Sequence, residues 1–142
     1  MKTVRTSVYG IAIAMLLGVS ALSGLKYLYS PSVLVAGSFH PVAHKGSGSA
    51  FLYQCRGGKR LLALKDLSTA ARPDLAVYLI DAPDAFDNDT VKNSRVLSLG
   101  PLKGSAQDQV YDVPAGVNLT HYHAVVIWSQ KYAVNFTTAP LR

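Results

Sequence analysis

The residues of this chain that could do chemistry are few and widely spaced. Ser129 follows Trp128 at the end of the β-branched run in "VVIWSQKYAVNF". A serine becomes a nucleophile only when a base is held against its hydroxyl, and local spacing fixes no such base here. Cys55 is the single cysteine, so no intrachain disulfide can form. A cation beside a thiol lowers its pKa and raises its reactivity; without one, a lone cysteine is usually a small, half-buried, inert side chain. His121 and His123 lie two apart, which on a strand puts both imidazoles on one face, where they could share copper or another transition metal. No third ligand has a fixed spacing to them, and two polar residues on a solvated strand end is the plainer reading. His40 and His44 stand far upstream.

Other patterns are weaker. Asp81, Asp84, Asp87 and Asp89 could offer oxygen ligands, yet they lack the alternating spacing and central glycine of a calcium loop and read as a solvated acidic loop. Asn88, Asn118 and Asn135 begin N-x-[ST] sequons, relevant only where glycosylation occurs. Gly46-Ser47-Gly48-Ser49 has neither the lysine nor the spacing of a phosphate-binding loop and reads as a flexible turn. No nucleophile elbow or dinucleotide fingerprint is present. The formal charge of +6 overstates the basic character of the downstream part. Residues 38–142 hold eleven Lys and Arg against eight Asp, near +3, too little for a nucleic-acid footprint. Glu is absent from the whole chain.

The elements that must carry these residues are strands. Short apolar, β-branched runs recur at intervals of about ten residues between turn signals, the pattern of an all-β antiparallel sandwich or barrel. About eight strands are predicted. Gly57-Gly58 suggests a two-residue hairpin turn, with Phe51 opposite Leu64, Tyr53 opposite Leu62, and Cys55 opposite Arg60. "DLAVYLI" is too apolar to alternate and reads as a strand covered on both faces. Tyr122, Ala124, Val126, Trp128, Tyr132, Val134 and Phe136 share one parity and are expected to face the core. About 105 residues can bury roughly two thirds of their unfolded surface, enough for one core without disulfides.

Ahead of this domain, Thr6 to Leu25 carries no charge and follows Lys2 and Arg5. A helix of that length spans roughly 30 Å, the hydrocarbon thickness of a bilayer. The same residues fit a cleavable signal, with Ala21-Leu22-Ser23 as a small-residue site, while Lys26, Tyr27 and Tyr29 suit an interfacial anchor. Residues 1–30 are therefore expected to be a signal peptide or transmembrane anchor, 31–36 a linker, and 37–142 an extracytoplasmic β-domain. An uncleaved segment would make the membrane a partner; nucleic acid is not expected.

The ordered set "GSF", "GSGSAFLY", "KRLLALKDLS", "RPDLAVYLI", "LGPLKGSAQDQVYDVP" and "YHAVVIWSQKYAVNFTTAPL" resembles a DM13 domain over roughly Gly37 to Leu141. The resemblance implies an all-β extracellular module, proposed to transfer electrons through a cysteine just after the Ile-Trp pair, as a bare thiol or as a ligand of a group such as haem. Ser129 stands at that position here. The resemblance thus leaves a binding or interaction module at the cell envelope as the first expectation. The alternatives are a redox module using Cys55, copper or haem, and a structural envelope domain with no cofactor. Catalysis is not expected. Trp128, Asp74 and Tyr78 match the pattern and read as packing and turn residues.

Overall fold

The computed structural model describes residues 31–142. The amino-terminal hydrophobic segment expected to act as signal or anchor lies outside the described residues. Among those described, no helix is long and apolar enough to cross a membrane.

The described chain is mostly strand. In order it forms β1 (Ser32–Ser38), β2 (His40–Pro41), β3 (Gly46–Gln54), β4 (Arg60–Thr69) and β5 (Leu75–Ile80). One short helix, α1 (Asn88–Lys92), precedes β6 (Val96–Pro101), β7 (Gln109–Val113), β8 (Ala124–Ser129) and β9 (Val134–Pro140). Two antiparallel sheets result, one ordered β1-β3-β4-β7 and the other β2-β9-β8-β5-β6. Leu52, Leu62 and Leu64 of the first and Leu75, Val77, Leu79, Val125 and Ile127 of the second belong to one buried cluster. Each such side chain taken out of water contributes about 1.5–3 kcal/mol.

The segment read as a linker is strand β1. Val33, Leu34 and Val35 supply its β-forming side chains, and Ala36 exchanges two backbone bonds with Arg142, at 3.1 and 2.9 Å. Gly46 to Ser49, read as a flexible turn, begins β3 instead. The glycines there answer to crowding rather than to flexibility: a Cβ on Gly46 would lie 2.1 Å from Thr137 Oγ1. Gly48 has φ +105 and faces the Asp66 carbonyl at 2.7 Å from an added Cβ, a backbone conformation that glycine alone adopts freely.

The β3–β4 turn holds three residues, not two. Cys55 N–H donates to the Lys59 carbonyl at 2.7 Å and Gly58 N–H to the Cys55 carbonyl at 3.2 Å, with Gly57 and Gly58 both at positive φ. One extra turn residue reverses the parity of the strand. Ala50 and Leu52 therefore join Leu62 and Leu64 in the core, while Phe51 and Tyr53 stack on each other outside it, centroids 6.0 Å apart.

β8 is buried along its whole length. Its odd residues Val125 and Ile127 enter the main core, and Ala124, Val126 and Trp128 enter a second cluster with Ile80 of β5 and with Ala85 and Val91 of the loop and helix that follow β5. The expectation of a single core-facing parity across β8 and β9 is thus corrected. A register shift between Ile127 and Trp128 lets Phe136 join the main core while Asn135 stays on the Trp128 side. β5 is covered on both faces, with Val77 and Leu79 in the main core and Ile80 in the second.

Candidate functional site

Two strand ends build the site. Pro73, with its fixed φ, leads into Asp74 and then β5, whose first residue Leu75 pairs with Ser129, the last of β8. The chain then turns through Gln130–Ala133 into β9, and Ala133 takes φ 55 to complete the turn. Asp74 holds this turn through both its backbone and its side chain. Its backbone carbonyl accepts from Gln130 N–H at 3.2 Å, and its carboxylate oxygen Oδ2 accepts from Lys131 N–H at 3.3 Å. The Ser129 hydroxyl donates to that same Oδ2 in a short hydrogen bond and in turn accepts from Tyr132 N–H at 3.2 Å.

Ser129 is fully buried and belongs, by parity, to the face opposite Trp128. Asp74 is held below the ordinary carboxylate range, chiefly by the Ser129 hydroxyl and also by Lys131 N–H and the Lys131 charge. A carboxylate so stabilised is a poor proton acceptor, and a hydroxyl with no exposed surface meets no substrate. The geometry is that of a strut across the β8–β9 turn. Trp128 stacks on Tyr78, centroids 6.0 Å apart and planes inclined by 24°.

Asp74 opens on its other side to a cleft of about 270 Å³ lined by His44, Arg72, Tyr132, Val134 and Phe136. The His44 ring lies on Phe136 at 4.0 Å between centroids, while Tyr132 is largely exposed. Sequence reasoning noted Asp74 as a turn residue and missed it as the partner of Ser129. The available signal was the Pro-Asp pair directly before a strand that must lie beside β8. Nothing local pointed to His44 or Arg72.

The remaining sequence candidates fall elsewhere. His121 ends a short 3-10 turn (Leu119–His121) rather than lying in β8, and its Nδ1 stands 2.9 Å from an Arg95 guanidinium nitrogen. His123 precedes β8, its backbone bonded to Ile80 and Leu141. The strand geometry on which a shared metal depended is absent at this pair, and one imidazole already faces a cation. Among the described residues no group of three or more His, Cys, Asp and Glu could hold a metal ion. Asp81 accepts from Arg95 N–H at 2.9 Å, Asp84 pairs with His40 at 2.6 Å, and Asp87 caps α1 through Thr90 N–H at 2.8 Å. Asn135 is fully buried, its N–H donating to Asn88 Oδ1 at 2.8 Å, so a glycan has no access to it. Burial raises the Cys55 thiol pKa, and Lys59 offsets only part of that rise. Arg60, the expected partner of Cys55, instead donates to the carbonyls of Val117 and Pro114.

A family model described as "Electron transfer DM13" matches residues 38–141, which take in strands β2 to β9, the Asp74–Ser129 strut and the cleft. The chain belongs to the DM13 family. No curated protein and no solved structure matches it. A prosthetic group held through the residue after Trp128, as the resemblance implied, does not fit this DM13 domain. The side chain there is a hard hydroxyl, fully buried and already donating to Asp74. The adjoining cleft falls below the roughly 300–1,000 Å³ of pockets that enclose drug-sized ligands.

Proposed function

We propose that this DM13 domain is a β-sandwich binding module displayed outside the cytoplasm, recognising a small ligand in the cleft beside Asp74. The observation that carries the reading is the Ser129–Asp74 bond: it sets a structural strut at the position where the resemblance implies a reactive cysteine, with an open, aromatic-walled cleft directly next to it. The raised pKa of Cys55 supports the same reading, because thiol chemistry runs through the thiolate. The extracytoplasmic location rests on the uncharged run from Thr6 to Leu25 behind a basic start.

The test is a ¹H–¹⁵N spectrum of the full chain against a library of small organic fragments. The reading expects shifts concentrated on His44, Arg72, Asp74 and Tyr132. It fails when no fragment moves these signals, or when the shifts gather elsewhere. The family description favours a second reading, a redox module carrying a bound group. A Soret band or stoichiometric copper in the purified chain would establish that alternative.

A further inference from the structure

Arg72 is exposed and makes no hydrogen bond or ion pair among the described residues. It lines two neighbouring depressions. One is the aromatic cleft already described; the other, of about 380 Å³, is lined by Arg72 with Pro73, Leu102, Lys103, Gly104 and Ser105. The second carries two cations and no carboxylate. Its wall is held firmly: Lys103 N–H donates to Gln109 Oε1 at 3.0 Å and to the Tyr111 hydroxyl at 2.9 Å, and Gln109 Nε2 returns a bond to the Gly104 carbonyl at 2.9 Å. Ser105 accepts from Thr69 N–H through its carbonyl at 2.9 Å, and its hydroxyl has no partner among the described residues.

The two halves differ in chemistry. The recess offers the unpaired Arg72 guanidinium, the Lys103 ammonium, which also donates to the Val110 carbonyl and lies over the Tyr111 ring, and the Ser105 hydroxyl, donors that suit a planar carboxylate. The cleft offers the Tyr132 and Phe136 rings and His44, while the anionic Asp74 repels a second negative group from that side. We propose that Arg72 joins the two into one site for a small aromatic carboxylate, its anion in the Arg72–Lys103 recess and its ring against Tyr132. The inference rests on the cleft being a binding site and specifies the ligand class.

Titration of the full chain with 1-naphthoate and with the neutral 1-naphthamide, followed by ¹H–¹⁵N shifts, tests it. The acid is expected to bind at least about tenfold more tightly than the amide, the scale of one charge-assisted hydrogen bond. Arg72→Gln, which removes no internal contact among the described residues, should abolish that difference. Equal affinities of acid and amide, or an Arg72→Gln variant that binds the acid as the parent does, would overturn the carboxylate assignment while the cleft reading stands. Absence of binding by both compounds overturns the assignment too, and the fragment spectra decide separately whether the cleft binds anything.

Discussion

Ser129 sends its hydroxyl proton toward a carboxylate that is held anionic, whereas a nucleophilic serine needs a base able to take that proton. The bond contributes through the fold. Ser129→Ala is expected to destabilise the domain by about 1–2 kcal/mol, the scale of one buried hydrogen bond to a charged partner, read as a shift in the denaturant midpoint with unchanged slope. Asp74 has its folded pKa depressed, so its contribution is present above the unfolded value of about 3.9 and is lost as pH falls through the folded pKa. The gap between parent and variant should therefore close on the acid side, and a gap constant with pH would show that Asp74 does not feel Ser129. Ser129→Cys in a Cys55→Ala background should create a thiol with pKa above the ordinary value of about 8.5, because burial and the Asp74 charge both oppose the thiolate. Thiolate absorbance against pH measures it, and adding Asp74→Asn should bring the value down. A pKa at or below that of a free thiol would contradict the strut geometry.

At the scale of the elements, close approach decides which substitutions the sheets tolerate. Gly46→Ala would drive a methyl into the Thr137 side chain, itself buried and bonded to the His40 carbonyl at 2.6 Å. A loss of about 1–3 kcal/mol is expected from such overpacking, against less than about 0.5 kcal/mol for the exposed neighbour Ser47→Ala; thermal melts of the two variants compare them. Most strands were legible because β-branched runs and turn residues alternate plainly in "DLAVYLI", "RVLSLG" and "DQVYDVP". What misled was count and crowding. Arg56 joins the turn before β4 and so exchanges the faces of β3, and a register shift near Trp128 does the same between β8 and β9. The glycines of "GSGS" look like flexibility in one dimension and are clearance in three. The site was half legible. Ser129 and Trp128 were readable from their place beside an apolar run, but Asp74 is 55 residues from Ser129, and His44 and Arg72 reach the cleft only through pairing of non-consecutive strands.

At the scale of the whole molecule, two antiparallel sheets carry a chain of the DM13 family, with a buried, hydrogen-bonded serine directly after Trp128. Topology has its own test. Alkaline phosphatase fused after Arg142 should be active if the uncharged run from Thr6 to Leu25 exports the domain, and a reporter that works only in the cytoplasm should be silent; the opposite pattern would refute export. The central claim is that this chain moves no electrons through its own residue after Trp128 and holds no prosthetic group there. The absorption spectrum and metal content of the purified full chain, recorded before and after dithionite, test it most directly. The account expects a protein without visible absorption, without stoichiometric metal, and with no spectral change on reduction. A Soret band, or one copper per chain, that disappears in Ser129→Ala while the variant stays folded would contradict it.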